Sequence, residues 1–243
     1  MTWDRDLFEE ALSNGLQAWS LDHCAAKVPE MARFAELVVH TNQQLNLTRI
    51  VEPVEMALKN FLDSLSILQL PWPTEMRCMD VGTGAGFPGV PLAMVQGGWE
   101  VVLLDSLRKR LDFLAGAAAE LSLDNVSILH SRAEDAGRHK EHRQGYDLVV
   151  SRAVAALPVL LELCTPLVKE GGLFAAYKGA GAALEVESAA TAMDILQVRL
   201  ERVFPLELPG EMGERNILLF RKPAPTPRSY PRKAGVPAKR PLE

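Results

Sequence analysis

Cysteine is scarce in this chain of 243 residues, which contains three, Cys24, Cys78 and Cys164. The three lie far apart and form no Cys-x-x-Cys pair, so the sequence predicts neither a disulfide framework nor a zinc site. The five histidines form no His-x-x-x-His or His-Glu-x-x-His pattern, and acidic triplets at metal-ligand spacing are also missing. We therefore expect no metal, and a reducing compartment suits the free thiols.

A long hydrophobic run is also missing. The longest apolar stretch, Leu148 to Cys164, is interrupted by Arg152, Pro158 and Glu162, which a membrane span of about 20 residues seldom tolerates. The first ten residues are polar and acidic, so no signal peptide is visible. The sequence predicts a cytoplasmic protein without a membrane segment.

Charge is unevenly distributed along the chain. The net charge is −5, yet residues 221–243 contain seven basic residues and a single acidic one, Glu243. A proline-rich segment with this charge is predicted to be extended and to bind phosphate, and Tyr230 offers a surface on which a base can stack. The alternative is a solvated end that binds nothing.

The most informative motif is Asp80-Val-Gly-Thr-Gly-Ala-Gly86. It follows an apolar run that is predicted to be a strand, and it precedes a predicted helix, Pro88 to Val95, that opens with a proline. The three glycines allow positive φ angles and let a ligand approach the main chain. Asp105 ends the next apolar run, where its carboxylate can accept hydrogen bonds from both ribose hydroxyls of a nucleoside.

Two nucleoside cofactors fit this motif. Residues 84–89 match the dinucleotide fingerprint, in which a helix N-terminus receives a pyrophosphate. The acidic residue two positions before the first glycine favours S-adenosylmethionine instead, because the amino and sulfonium groups of that cofactor are cationic. A glycine-rich turn without a ligand is the third alternative. The residues placed at the cofactor are Asp80, Gly82, Gly84, Gly86, Asp105 and the adjoining Ser106.

The order of elements predicts an α/β fold. Helices fill the chain up to about residue 73, among them one from Glu55 to Leu70. From Arg77 onward strands and helices alternate, which implies a parallel, doubly wound sheet, and one of these helices is predicted from Val154 to Val168. The final two strands, Val198 to Leu208 and Asn216 to Arg221, predict an antiparallel hairpin at one edge.

This pattern divides the chain into three parts. They are an N-terminal helical extension (1–73), an α/β domain (74–222) and a basic, proline-rich C-terminal tail (223–243).

In an open α/β sheet, ligands lie beyond the carboxyl ends of the strands. Ala133 and Glu134 follow the third strand of the α/β domain, where a carboxylate can address an adenine edge, or can merely complement a helix dipole. Arg152 follows the fourth strand, where its cation can meet the cofactor carboxylate, an RNA phosphate or the target base, or form an ordinary ion pair.

Several kinds of methyl transfer are disfavoured by the residues after the fourth strand. Enzymes that act on exocyclic base amines commonly place Asn or Asp, two prolines and an aromatic residue there, whereas this chain has Ser151-Arg-Ala-Val154. Cys164 lies in a predicted helix and suits core packing better than nucleophilic catalysis. Guanine N7 has a free lone pair, so its methylation needs no general base and depends mainly on positioning.

Seven ordered blocks resemble one known family, the bacterial 16S rRNA guanine-N7 methyltransferases, also called glucose-inhibited division protein B. The similarity runs from about Asn46 to Leu242. The blocks are Asn46-Leu-Thr-Arg-Ile50, Lys59-Asn-Phe-Leu-Asp-Ser-Leu65, Asp80 to Gly89, Asp105-Ser-Leu-Arg-Lys-Arg110, Ser151-Arg-Ala153, Tyr177-Lys-Gly179 and Tyr230-Pro-Arg-Lys233.

The resemblance implies a class I methyltransferase fold, Rossmann-like, that uses S-adenosylmethionine to methylate a guanine in the decoding-region loop of small-subunit rRNA. It places Arg152 and Lys178 as positioning residues without a general base. The cofactor contacts that it implies are Gly82, Phe87, Ala133, Glu134 and Arg152, with Asp105 at the ribose. The residues expected to bind RNA are Asn46, Arg49, Lys59, Arg228, Tyr230, Arg232 and Lys233.

One position departs from the family. The family commonly has Lys-His where this chain has Lys59-Asn60, so a proton-transfer role at Asn60 is excluded. Since N7 methylation needs no base, we expect activity to survive.

Two rival functions stay open at this point, a non-catalytic ribosome-assembly factor and a nicotinamide oxidoreductase. The expected partner is 16S rRNA or the small ribosomal subunit, bound by a monomer that contacts neither DNA nor a membrane. Removing residues 221–243 is expected to weaken RNA binding and to leave cofactor affinity intact.

Overall fold

The computed structural model describes residues 3–243, so the first two residues of the predicted helical extension lie outside the described part. The extension begins with α1 (Arg5–Ala18), whose first turn is capped by Asp4, which accepts a hydrogen bond from the Leu7 N–H at 3.1 Å. Helix α2 (Val28–Leu45) follows a 3₁₀ turn, Asp22–Lys27. It ends where Asn46 adopts a left-handed conformation with φ of 48°.

The third helix of the extension is broken into short pieces. The prediction of one helix from Glu55 to Leu70 is wrong in this respect, because a π-helical turn interrupts it. The pieces are α3 (Pro53–Met56), the π turn Ala57–Leu62, α4 (Asp63–Leu65) and a 3₁₀ turn, Ser66–Gln69. Such π turns inside helices frequently occur at functional sites, and this one contains Lys59 and Asn60.

A seven-stranded sheet forms the α/β part, in the order β3-β2-β1-β4-β5-β7-β6. The first five strands in this order pair in parallel, and β7 pairs antiparallel with both β5 and β6. The predicted doubly wound sheet with an antiparallel hairpin is therefore confirmed. The strands are β1 (Met76–Val81), β2 (Trp99–Asp105), β3 (Val126–His130), β4 (Tyr146–Arg152), β5 (Val168–Lys178), β6 (Arg199–Glu207) and β7 (Glu214–Arg221).

Helices connect these strands on both faces of the sheet. The predicted helix from Val154 to Val168 starts later, at Leu157, because Ala153 takes a positive φ of 56° and residues 153–156 form a loop. After β5 the chain forms two short helices that are divided at Ala189. The helices are α5 (Gly89–Val95), α6 (Arg108–Glu120), α7 (Ala133–Ala136), α8 (Leu157–Cys164), α9 (Ala182–Ser188), α10 (Ala190–Leu196) and, in the tail, α11 (Val236–Lys239).

The helical extension shares a hydrophobic core with one face of the sheet. Buried residues of α1 and α2 belong to the same cluster as Cys78 of β1 and Leu148 of β4. Phe61 of the π turn packs edge-on against Phe87, with ring centroids 5.0 Å apart, and Phe34 of α2 lies 5.6 Å from Phe87. Since Phe87 lies in the glycine-rich loop after β1, the extension supports this loop directly.

The C-terminal tail (223–243) packs against the body, so its predicted extended conformation is wrong. The Arg143 guanidinium donates hydrogen bonds to the carbonyls of Thr226 (2.8 Å), Pro227 (3.4 Å) and Tyr230 (2.8 Å). Just before the tail, Lys222 is 1% exposed and donates to the carbonyls of Thr165 and Val168 at 2.9 and 2.7 Å. The basic side chains of Arg143 and Lys222 thus donate to main-chain carbonyls, and the tail is docked although it is rich in proline.

Among residues 3–243, no helix is long and apolar enough to cross a membrane.

We predict that Arg143→Ala loosens the tail. Hydrogen bonds to charged groups contribute about 1.5–3 kcal/mol each, and a loss of about 1.4 kcal/mol already raises the population of the undocked tail tenfold. Thermolysin cleavage within residues 223–243, followed by mass spectrometry, should accelerate by about tenfold or more. The exposed neighbour Lys140 provides the control, Lys140→Ala. Equal cleavage rates in both variants would contradict the prediction.

Candidate functional site

The loop after β1 is built around three glycines with positive φ. The angles are 73° at Gly82, 60° at Gly84 and 100° at Gly86, as the motif predicted. Gly82 could not be replaced without rearrangement, because a Cβ atom there would lie 2.5 Å from Cγ2 of Val154. Its N–H donates to the Leu104 carbonyl of β2 at 2.8 Å. The loop is thereby held beyond the carboxyl ends of β1 and β2.

Asp105, at the end of β2, is tied to the loop through both carboxylate oxygens. Oδ2 accepts a hydrogen bond from the Gly84 N–H at 3.0 Å, and Oδ1 accepts one from the Leu107 N–H at 2.9 Å. The side chain is 5% exposed and lines a cavity of about 400 Å³. Because a carboxylate oxygen can accept more than one hydrogen bond, both oxygens can still serve ribose hydroxyls.

This Asp105 cavity carries two carboxylates among mostly apolar walls. Asp105 lies on one side and Glu134, which is 6% exposed, belongs to another wall. Leu107, Ala133 and Val154 supply apolar surface between them. A few well-placed polar groups in an apolar cavity are typical of small-molecule sites. The residues present fit an adenosine group, with one carboxylate for the ribose and another for the base.

A smaller cavity of about 230 Å³, the loop cavity, adjoins the first and shares Gly82, Arg110 and Ala153 with it. Thr83, Gly84 and Phe87 of the glycine-rich loop line it. The loop cavity therefore extends from the nucleoside-sized space toward the helical extension.

A third cavity, of about 460 Å³, lies between the helical extension and the sheet. We call it the Arg152 cavity, since Arg152 lines both it and the loop cavity. The guanidinium donates to the Lys59 carbonyl at 2.7 Å, to Asp63 Oδ2 at 2.9 Å and to Asn60 Oδ1 at 3.1 Å. It also lies 5.4 Å from the centroid of the Phe87 ring. Arg152 is therefore fixed by the extension and does not line the Asp105 cavity.

Lys178 occupies the other side of the Arg152 cavity. Its ammonium donates to Glu185 Oε2 at 2.6 Å and to the Ala155 carbonyl at 2.9 Å. Glu185 Oε2 also accepts from the Leu157 N–H at 2.9 Å. The lysine therefore fixes the start of α8 and the loop before it, and its charge is largely balanced by Glu185.

Asp80 does not line any of these three cavities, so the structure does not support its predicted direct contact with the cofactor. The side chain is fully buried, and Oδ2 accepts a hydrogen bond from the Gly89 N–H at 2.9 Å. Burial raises the pKa of this carboxyl to about 6, while Thr83, Gly89 and Arg152 oppose the shift. Asp80 therefore supports the glycine-rich loop from the protein interior, through its hydrogen bond with Gly89.

Ser106, Ala133 and Glu134 do line the Asp105 cavity, as the interpretation of the sequence required. Asn46 and Arg49 are exposed, and their neighbours Leu47 and Thr48 line the loop cavity. Lys59 lines the Arg152 cavity, although its ammonium is paired with Glu55 at 2.6 Å.

The tail residues predicted to bind RNA are placed differently from one another. Arg228 and Lys233 are exposed, and Tyr230 is half-buried. The structure corrects the prediction that Arg232 binds RNA. Its guanidinium is engaged by the fully buried Glu162, with Nε 2.9 Å from Oε1 and Nη2 2.5 Å from Oε2. Its main contact is therefore inside the protein.

Arg215 is a site residue that the sequence interpretation missed. It lines the Arg152 cavity, and its Nε lies 3.5 Å from Oδ1 of the buried Asp63. The interpretation of the sequence took site residues only from the carboxyl ends of strands. Because β7 runs antiparallel to β5, the first residues of β7 lie beside Lys178 at the end of β5. An arginine soon after the turn between two hairpin strands was the available signal.

The prediction of no metal remains a prediction. The side chains of His139, Glu141 and His142 come together so that their ligand atoms lie within 4.8 Å of one another. His142 Nδ1 is also 2.7 Å from the Tyr146 hydroxyl. These residues lie outside the three cavities and are flanked in sequence by Arg138 and Arg143.

Comparisons with known proteins identify relatives of this chain. The profile of a family described as rRNA small subunit methyltransferase G matches residues 27–217. The ribosomal RNA small subunit methyltransferase G of Alkaliphilus oremlandii is 42% identical over 236 residues, covering 97% of this chain and 99% of the relative. That of Desulforamulus reducens is 44% identical over 211 residues, covering 86% and 88%.

Solved structures show the same fold. A SAM-dependent methyltransferase from Aquifex aeolicus gives a TM-score of 0.52 at 18% identity, covering 70% of this chain and 93% of that one. A mutant 16S rRNA (adenine(1408)-N(1))-methyltransferase from Catenulisporales acidiphilia gives 0.50 at 17% identity, covering 63% and 87%. The predicted class I methyltransferase fold with a helical N-terminus is thereby confirmed.

We predict that Asp80 makes stability pH-dependent. The native pKa of about 6 exceeds the ordinary value of 3.8, so the folded protein binds this proton more tightly than the unfolded chain does. Stability should therefore fall as pH rises from about 4 to 6, by on the order of 2–3 kcal/mol, and Asp80→Asn should lack this component. Urea unfolding of both proteins at pH 4, 5, 6 and 7 measures it.

The exposed Asp112 provides the matched control, Asp112→Asn, which should leave the pH profile of stability unchanged. A difference between wild type and Asp80→Asn that is constant from pH 4 to 7 would contradict the prediction.

Proposed function

Because the chain belongs to the rRNA small subunit methyltransferase G family, we propose that it methylates N7 of a guanine in the decoding-region loop of 16S rRNA. The chain is an S-adenosylmethionine-dependent rRNA methyltransferase. The atom and the loop are the parts that we propose here. The family assignment does not favour the non-catalytic assembly factor considered above.

The proposal that N7 is the acceptor atom rests on the ion pairing of the carboxylates in the Arg152 cavity. Asp63 and Glu185 are the acidic residues among its lining. Asp63 is paired with Arg152 and Arg215, and Glu185 is paired with Lys178. Both carboxylates are therefore engaged by neighbouring cations, and neither is presented to a substrate as a free general base. A reaction that releases no proton suits the cavity best, and attack by the N7 lone pair is such a reaction.

Bound S-adenosylmethionine supplies an electrophilic methyl group on a sulfonium. In the proposed transfer, the N7 lone pair would bond to the methyl carbon as the carbon–sulfur bond breaks, and the electron pair of that broken bond would stay on sulfur. The positive charge passes from sulfur to the guanine ring, so the residues need to hold donor and acceptor in line at about 3–3.5 Å. Arg152, between the loop cavity and the Arg152 cavity, and Lys178 across from it are the positioning residues.

The cofactor assignment follows the cavities. Asp105 serves the ribose hydroxyls, Glu134 accepts from the adenine amino group, and Ala133 leaves room for the ring. Asp80 contributes through its charge beneath the loop. The remaining cofactor-binding residues that we propose are Gly82, Gly84, Phe87, Ser106 and Arg152. Gly86 lines none of the three cavities and contributes only by shaping the loop.

The RNA-binding residues that we propose lie at the Arg152 cavity, in the helical extension and in the tail. Lys59 and Arg215 line the cavity itself. The exposed cations Arg49, Arg228 and Lys233 suit phosphates, since phosphate contacts dominate nucleic-acid affinity. Asn46 and Tyr230 complete the proposed surface, whereas Arg232 is left out of it because Glu162 engages both its guanidinium and its main-chain N–H. Because the substrate is rRNA, we further propose a cytoplasmic monomer that acts neither on DNA nor at a membrane.

We predict methyl transfer to small-subunit rRNA that lacks the modification. Label from methyl-tritiated S-adenosylmethionine should enter the RNA, and reduction with aniline cleavage should give one site. A transcript in which 7-deazaguanine replaces guanine is the matched control, because it lacks only the N7 lone pair. Label entering that control at the normal rate would overturn the assignment to N7. No label in naked rRNA or in intact subunits, with cofactor bound, would overturn the methyl transfer itself.

We predict that Arg215→Ala weakens the interaction with RNA. Loss of the cation at the cavity should raise KM for RNA by about tenfold, a typical effect of one charge-assisted contact, and should leave cofactor affinity within twofold. Steady-state kinetics and calorimetry measure the two quantities. Arg202→Ala removes an exposed cation from the neighbouring β6 and is the control. Equal KM values for the two variants would contradict the prediction.

A further inference from the structure

One wall of the Asp105 cavity comes from the C-terminal tail. Gly235 and Ala238 line this cavity together with Asp105 and Glu134, whereas the other lining residues lie at or just after the ends of strands, in α6 and in α8. The family profile ends at residue 217, before this segment. The tail therefore contributes to the nucleoside-sized cavity from a part of the chain that the glycine motif does not include.

The contact between the tail and the site is a specific hydrogen bond. The Gly235 N–H donates to Glu134 Oε1 at 2.7 Å. Gly235 takes a φ of 79°, a left-handed conformation that glycine adopts readily, and it precedes the short helix α11. Within residues 3–243, the Glu134 carboxylate accepts no other hydrogen bond. Its second oxygen, Oε2, is therefore left to serve a ligand.

A buried ion pair holds the tail in this place. Glu162 of α8 is fully buried and accepts from the Arg232 main-chain N–H at 2.7 Å as well as from its guanidinium. The Pro231 carbonyl accepts from Arg138 Nε at 2.8 Å. These contacts fix the chain only three residues before Gly235. Because a buried charge left without its partner is strongly unfavourable, the docked position is favoured.

We propose that the C-terminal tail is a required wall of the cofactor cavity, in which the Gly235 N–H orients Glu134 toward the adenine 6-amino group. With Oε1 engaged by Gly235, Oε2 accepts from the amino group, which is a donor. A 6-oxo base presents an acceptor at the same place and is repelled. This inference rests on the proposed placement of adenosine in the Asp105 cavity. It replaces the expectation that removing the tail leaves cofactor affinity intact.

The test measures ligand binding, not methyl transfer, so its failure is distinct from a failure of the proposed function. Dissociation constants for S-adenosylhomocysteine and S-inosylhomocysteine are measured by calorimetry for the full chain and for a chain that ends at Ala234. This truncation keeps the Arg232–Glu162 ion pair and removes the wall. Thermal unfolding without ligand checks that the shortened chain folds.

In the full chain we expect S-adenosylhomocysteine to bind at least about tenfold more tightly than the inosyl analogue. Truncation should weaken S-adenosylhomocysteine by about tenfold or more and bring the two constants within about threefold of each other. Gly235→Pro in the full chain removes the same N–H donor and excludes the positive φ, and it should give the same loss of discrimination. It also keeps the test valid if the truncated chain does not fold.

The matched control is Lys239→Ala with Arg240→Ala, which removes two exposed cations of the deleted segment and keeps the wall. Both constants should stay within twofold of the full chain. The proposal is overturned if Gly235→Pro and the folded truncated chain bind S-adenosylhomocysteine as the full chain does. It is equally overturned if they retain the full preference for the adenine ligand.

Discussion

The buried ion pair between Asp63 and Arg152 is the interaction on which the site depends. Asp63 belongs to the helical extension and its side chain is 4% exposed, while Arg152 ends β4. The desolvation of both charges is offset by further hydrogen bonds from the guanidinium to the Lys59 carbonyl and to Asn60. Because the π turn presents these acceptors, the Arg152 cavity exists only when the extension is docked on the sheet.

The extension also controls the cofactor side of the site. Phe87, in the glycine-rich loop, packs against Phe61 of the π turn and lies near the Arg152 guanidinium. The same few residues of the extension therefore fix the loop and the arginine between the cofactor and acceptor spaces. A shift of the extension would move both substrates relative to each other, and a displacement of about 1 Å can cost a hundredfold in rate.

The central part of the fold and site could be predicted because local patterns determine it. Glycines with positive φ, a carboxylate at the end of β2 and the alternation of strands and helices each have a signature within a few residues. The π turn and the docked tail have no such signature, and the signal for Arg215 becomes readable only once β7 is known to run antiparallel to β5. They depend on contacts between distant segments, such as Arg232 with Glu162, and a basic, proline-rich sequence gives the same composition whether it is solvated or docked.

Asp80 illustrates how a correct motif can support a wrong contact. The acidic residue before the glycines favoured a cationic cofactor, yet the side chain is fully buried and bonded to Gly89. With a pKa of about 6 it is mostly ionised at neutral pH, and its charge lies in a medium of low dielectric where it acts over several ångströms. In the proposed cofactor placement, this charge would act on a sulfonium through the loop and not by contact. In the Arg152 cavity, by contrast, the carboxylates Asp63 and Glu185 are outnumbered by the lining cations, which are Lys59, Arg152, Lys178 and Arg215. The acceptor side is therefore cationic and suits RNA phosphates, whereas Asp80 places a negative charge beneath the glycines.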